Sequence, residues 1–223
     1  MPFFKYNGKL IYFCHVPKCG GTSIEDGLIE SGIPLSFLDR AWWSLGASKW
    51  NNSSPQHILK KDLARLINAS IFDFRFACIR DPVARFLSAY NHHRKAGRIK
   101  SYVTVENFLS KIEKCEDFLS YPFDNHFVPA SEIVPDDCKV FHLESGLTEI
   151  GVWLQQVTGD DRLNVRFGHS MKGERSAPLN VRNPIMKWFK QRMRPIAPDI
   201  DSLDAKLRGR IEKLYVADYE RFF

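Results

Sequence analysis

The segment from Lys9 to Ser23 constrains this chain most. An apolar run, Leu10-Ile11-Tyr12-Phe13-Cys14-His15-Val16, leads straight into Pro17-Lys18-Cys19-Gly20-Gly21-Thr22-Ser23, and a helix-compatible stretch begins at Ile24. A strand over 9–16, a glycine turn and a helix over 23–31 are the parts of a phosphate cradle. Two glycines let backbone N–H groups close around anionic oxygens, a lysine adds a point charge, and a helix N-terminus adds its own partial positive charge. Lys18 precedes the glycine pair, whereas the usual triphosphate loop puts its lysine after the last glycine, and this argues against a routine ATPase. Alone, the string also fits any tight strand-to-helix turn.

A second segment narrows the choice. Phe74 to Ile79 has the look of a buried strand, here taken as 72–79. It is followed by Arg80, by Asp81 as a helix cap, and by Pro82 at the first position of a helix over 82–95. Ligands of an open parallel sheet gather at the carboxyl ends of its strands, so Arg80 is expected at the same edge as Lys18. Other expected elements are helices at 55–68, 104–119, 146–158 and about 201–218 and a strand at 139–143. Strands alternating with helices predict an α/β fold with a central parallel sheet flanked by helices in three layers.

His15 to Ser23, followed by Ile79-Arg80-Asp81-Pro82-Val83-Ala84-Arg85-Phe86-Leu87-Ser88-Ala89-Tyr90, resembles the two signature segments of sulfotransferases that use 3′-phosphoadenosine-5′-phosphosulfate (PAPS). More narrowly, it resembles the branch of carbohydrate O-sulfotransferases and their bacterial relatives. The resemblance implies a P-loop-like fold and assigns the 5′-phosphosulfate to Lys18, Cys19, Gly20, Gly21, Thr22 and Ser23. It gives the 3′-phosphate to Arg80 and Ser88. Weaker likeness runs through 124–129, 140–144 and the terminal helix. Cys19 stands where that family commonly has a small or hydroxylated residue; the backbone contacts of the cradle are expected to survive this departure, though oxidation of the thiol could interfere with them.

At 223 residues and 44% hydrophobic, the chain can bury one sizeable core, and residues 1–223 are expected to form a single domain. No run approaches the roughly 18 apolar residues of a membrane helix, and the start has no secretory layout, so a cytoplasmic protein without a membrane span is expected. Five cysteines without a Cys-x-x-Cys pair argue against a disulfide framework. The seven histidines show no two-ligand helical spacing with an acidic partner, and no metal is expected.

Between Arg162 and Arg194 nine Lys or Arg face one acid, Glu174, a local net charge of +8 in a chain of +6. The segment reads as a basic loop with a short helix at 185–193, suited to a polyanion or to covering an anionic donor. Arg175 within it and His126 are the candidate acceptor-binding residues. Nucleic acid is not an expected partner, because no recognition module accompanies the charge.

Transfer to a hydroxyl needs a base, and His57 is the candidate. With Ser54 as cap and Pro55 as first helical residue, it falls in the first turn of the helix entering strand 72–79, at the cradle edge. That helix terminus would favour neutral imidazole. His15 is placed to orient the cradle from within the core, His142 is given a structural role, and His92 and His93 are expected to face solvent. Arg85 is read as either an ion-pair partner of Asp81 or a ligand. Trp42, Trp43 and Trp50 are sugar-stacking or core residues.

These readings converge on a PAPS-dependent O-sulfotransferase. His57 would act as base and Lys18 would stabilise the leaving group, with an acceptor hydroxyl on a glycan or other small molecule. The oligomeric state is not legible. A nucleotide-dependent kinase and a non-catalytic polyanion-binding protein are the alternatives; the first would show Mg²⁺-dependent ATP turnover and the second salt-sensitive binding without 3′-phosphate preference.

Overall fold

In a computed structural model, residues 2–42, 51–114, 123–168, 198 and 200–223 are described. Arg175, Trp43, Trp50, Cys115 and the helix expected at 185–193 lie outside them. Four strands, β1 (Phe3–Tyr6), β2 (Lys9–Cys14), β3 (Phe74–Ile79) and β4 (Lys139–His142), form one sheet in the order β1-β2-β3-β4. The β2/β3 and β3/β4 pairs are parallel, with Cys14 beside Ala77 and Ile79 beside His142. Their carboxyl ends therefore open on one edge.

The central parallel sheet expected from the sequence is present, and β1 extends it at one edge by pairing antiparallel to β2. The turn between them is Asn7-Gly8, with φ of 46° and 79°. Two successive left-handed residues match the right-handed twist of a two-residue hairpin, and Asn-Gly is the pair that adopts them at least cost.

Strand alternation sends side chains to two cores. Ile11, Phe13, Phe76, Cys78 and Phe141 pack with Ile24 and Leu28 of α1 (Gly21–Glu30) and Ile150 and Leu154 of α5 (Thr148–Thr158). Tyr12, Cys14, Ala77 and Ile79 pack with Ile58, Leu59, Ile133, Val134 and Leu63 of α2 (Lys60–Leu66). Both faces are thus covered, which a parallel sheet requires. A third cluster joins α3 (Pro82–Lys95), α4 (Val105–Glu113) and α6 (Ala205–Leu214) through Phe86, Tyr90, Phe108, Leu109 and Ile211. Among the described residues no helix is long and apolar enough to cross a membrane.

Two helices differ from expectation. The one read at 55–68 is a 3₁₀ turn, Pro55–His57, followed by extended backbone at Ile58 and Leu59 before α2 starts at Lys60. Those two residues are buried against the sheet, and their packing overrides the helical pattern. The terminal helix breaks at Tyr215, whose buried hydroxyl donates to the Phe127 carbonyl at 2.8 Å, and resumes as α7 (Val216–Phe222). The helix expected over 104–119 is described to Glu113, and part of its remainder lies outside the described residues.

Candidate functional site

Lys18 opens the turn after β2 with φ 68°, and Gly20 closes it with φ 80° as the residue before α1. Gly20, which has no side chain to cap with, stands before α1, and the amides of a helix's first turn are the groups an anion can engage. Both glycines are required here. A Cβ on Gly20 would crowd Leu143, and one on Gly21 would overlap Nε2, Cδ2 and Cε1 of His15.

His15 supports the cradle from beneath. Its Nδ1 lies 2.5 Å from Oε1 of Glu25, and both residues are buried. A carboxylate only accepts, so Nδ1 carries the proton. Burial raises the Glu25 carboxyl, but His15 outweighs it and leaves the group below its ordinary range. Burial lowers His15, with Glu25 opposing. Arg40 closes the outer side with Nη2 2.5 Å from Asp26 Oδ1 and 3.7 Å from Glu25 Oε2.

A cleft of about 1120 Å³ opens over this edge. That exceeds the usual range of about 300–1,000 Å³ for one small-molecule site, leaving room for two reactants. Lys18, Gly20, Gly21, Thr22, Ser23, Arg80 and Ser88 all line it, as do His57 and His126. The residues singled out in two distant sequence segments thus share one cavity. Cys19 does not line it with them. Its thiol is buried, 3.7 Å from the Pro17 carbonyl, and burial pushes it up to about 12, so the expected sensitivity to oxidation is replaced by a protected core thiol.

Another part of the cleft wall is built by an interaction no local pattern announces. His57 Nδ1 lies 2.8 Å from Oδ2 of Asp124, which also accepts from the Ser54 hydroxyl at 2.9 Å, while Oδ1 accepts from the Ser54 amide at 2.6 Å. The Nδ1 proton of His57 therefore points at a carboxylate, leaving Nε2 as the basic nitrogen. Burial raises Asp124, but His57 and the two Ser54 bonds outweigh it and keep the carboxyl below its ordinary range. The helix-terminus argument for His57 is corrected, because α2 begins three residues later; Asp124 orients the ring instead.

Asp124 and Asn125 are successive non-glycine residues at positive φ, 56° and 60°. Such backbone is held only where surroundings over-determine it. Here Asn125 donates from Nδ2 to the His57 carbonyl at 2.7 Å, so both residues of the strained pair grip the His57 turn. Asp and Asn are the residue types that tolerate this conformation best, which is the one signal the sequence carried.

His126 is buried and its Nδ1 lies 2.9 Å from Nε2 of His93. Burial, then the neighbouring histidines, lower His126 well below its usual value, and burial pushes His93 down to about 3. Of His92 and His93, both read as solvent-facing, His93 is corrected, since it is completely buried, whereas His92 is half-buried and lines the cleft. Ring contacts run from His15 to His57 (4.7 Å), His57 to His126 (5.0 Å) and His126 to His93 (4.7 Å). His142 instead meets Phe223 at 5.1 Å.

Arg85 is neither of the two things expected of it. It is 1% exposed, donates from Nε to the Pro17 carbonyl at 3.0 Å and from Nη2 to the His126 carbonyl at 3.4 Å, and approaches the Tyr215 ring at 6.0 Å. It ties the cradle loop to the His126 loop. Asp81 caps α3 through the Ala84 amide and accepts from the Tyr219 hydroxyl. Trp42 is buried, so its ring belongs to the core rather than to a stacking platform. Arg98 and Gln56 line the cleft without having been singled out in the sequence.

No curated protein and no solved structure matches the chain. A family model described as "Sulfotransferase family" matches residues 3–223.

Proposed function

The chain belongs to the sulfotransferase family, and on that premise we propose that it moves the sulfuryl group of PAPS to a hydroxyl, on a carbohydrate acceptor, with His57 as general base. The observation that carries this reading is the buried Asp124–His57 pair facing the same cleft as the glycine cradle and Arg80.

The cleft fits such a donor on chemical grounds. Lys18 and the uncapped N-terminus of α1 suit a phosphosulfate, and Thr22 and Ser23 add hydroxyl donors. Arg80 and Ser88 suit a second phosphate at the end of β3. When bound, the donor supplies an activated sulfuryl group and a bisphosphate leaving group. Nε2 of His57 takes the acceptor proton, and the Asp124 carboxylate holds the Nδ1 proton and favours the imidazolium that results. Lys18 and the amides of residues 20–23 stabilise negative charge on the leaving side. His126 lies against His57 and joins Arg98 and Gln56 on the wall available to an acceptor. Arg175 keeps its role as an acceptor contact within this proposal.

Residues 1–223 are read as one domain. The described cysteines Cys14, Cys19, Cys78 and Cys138 are free thiols, which fits a reducing compartment, so a cytoplasmic place of action is part of the same proposal.

Calorimetric titration with adenosine 3′,5′-bisphosphate, 5′-AMP and ATP, followed by transfer of labelled sulfate to a glycan pool, tests the reading. The bisphosphate should bind tightest. Lys18→Ala should lose about 10²–10³ in turnover as a transition-state donor, and His57→Ala about 10²–10⁴ as a base. Tighter binding of ATP would overturn the donor class. Near-normal turnover of His57→Ala would remove the base assignment.

A further inference from the structure

The fold gathers two histidines and a carboxylate that the sequence keeps far apart. One ring nitrogen each of His57 and His126 and a carboxylate oxygen of Asp124 all lie within 4.8 Å of one another, and all three residues are buried. All three also line the cleft, so the group is reachable from solvent on one side. Two imidazoles and one carboxylate are the donor set of open zinc-class sites, in which three protein ligands leave a fourth position exposed. Tetrahedral bonds of about 2.0–2.1 Å place donor atoms about 3.3 Å apart, and the 2.8 Å between His57 Nδ1 and Asp124 Oδ2 is already near that spacing.

The ligands are held from behind, as metal ligands require. Ser54 holds Asp124 through two hydrogen bonds, His93 holds the Nδ1 side of His126, and Asn125 holds the His57 backbone. A second trio, His92, His93 and His126, shares His126 but draws on the completely buried His93. It is the less accessible of the two.

We propose that His57, Asp124 and His126 form a binding site for a divalent transition metal of the zinc class, and that its occupation inhibits sulfuryl transfer. An ion shared by Asp124 and Nδ1 of His57 displaces the proton between them and leaves the ring's one proton on Nε2, so the nitrogen that would take the acceptor proton no longer offers a lone pair. The inhibition rests on the proposed role of His57, whereas the binding does not.

The full-length protein, stripped with chelator, is titrated with Zn²⁺ by calorimetry and with Co²⁺ by visible absorption, without donor or acceptor. One ion per chain is expected, with Co²⁺ bands of nitrogen and oxygen ligation and a rise in melting temperature on adding Zn²⁺. Asp124→Asn and His126→Gln should each weaken binding at least tenfold, while His142→Ala leaves it unchanged. Three results overturn the site: no binding, thiolate charge-transfer bands, or binding lost in His92→Ala but retained in Asp124→Asn. With the site established, Zn²⁺ should abolish transfer and leave the affinity for adenosine 3′,5′-bisphosphate within threefold. Zn²⁺ bound at these residues with undiminished transfer would refute the inhibition and the His57 base together, leaving the metal site itself standing.

Discussion

Gly21→Ala tests whether the cradle is supported as described. An alanine at a helical position ordinarily stabilises by up to about 1 kcal/mol over glycine. Here the new methyl would overlap three atoms of the His15 ring. That ring is held where it is, since it stacks on Phe13 at 5.5 Å, meets His57 edge-on at 4.7 Å and is bonded to Glu25. Overpacking a core costs about 1–3 kcal/mol. Displacing His15 also strips a buried carboxylate of its donor, for about 1–3 kcal/mol more, less whatever Arg40 recovers. The expected net loss is about 1–5 kcal/mol, and a central value near 3 lowers the melting temperature by about 6–12 °C in a chain of this size. Thermal and denaturant unfolding of Gly21→Ala, His15→Ala and the double variant read the effect. In the His15→Ala background the added methyl should cost almost nothing, so the coupling should equal the cost of Gly21→Ala alone, about 1–5 kcal/mol. A Gly21→Ala protein as stable as the parent, or additive effects of the two substitutions, would refute the close approach.

Arg80→Ala should weaken adenosine 3′,5′-bisphosphate by about 10–150-fold, the worth of roughly 1.5–3 kcal/mol for a charged hydrogen bond, and leave 5′-AMP nearly unaffected in the same titration. The histidine cluster predicts acid sensitivity. His93 and His126 are depressed in the folded state, so the unfolded chain binds their protons first and stability falls as pH drops below about 6.5. Replacing His93 by Gln should flatten the stability profile between about pH 6.5 and 4 by up to about 1.4 kcal/mol per pH unit, measured by urea titration at each pH. Cys19 should resist alkylation in the native protein and react only on unfolding, as peptide mapping of labelled sites will show; rapid native labelling would contradict its burial.

The parts of the site that were legible in the sequence are those whose signals are local. The cradle and the β3-to-α3 junction each occupy one strand-to-helix connection, and Asp81-Pro82 marks the start of α3 where it occurs. The Asp124–His57 contact spans 67 residues, and no periodicity reports such a distance. The same holds for the histidines. Their lack of helical spacing excluded a local ligand pair, yet His57 and His126 meet because two loops converge at the sheet edge. Strand β1 is not among the strands expected from the sequence, although Asn7-Gly8 is a hairpin pair. The segment 55–68 misled for the opposite reason: its apolar residues fit a helix, and burial of Ile58 and Leu59 against β2 and β3 won.

Arg85 gives the molecule an unusual division of labour. Among the described residues no carboxylate forms an ion pair with it, and its Nη1 has no hydrogen-bond partner. Its charge is met by two carbonyl oxygens and the face of Tyr215, directly behind the Pro17–Gly20 turn. A cation in a medium of low polarity is felt through the turn by any anion seated in front of it. For the proposed anionic donor, part of the countercharge would therefore lie in the hydrophobic interior, where solvent ions screen it little. Attraction from this source outlasts added salt that would erase the pull of surface lysines, so the core itself takes part in choosing what the cleft will hold.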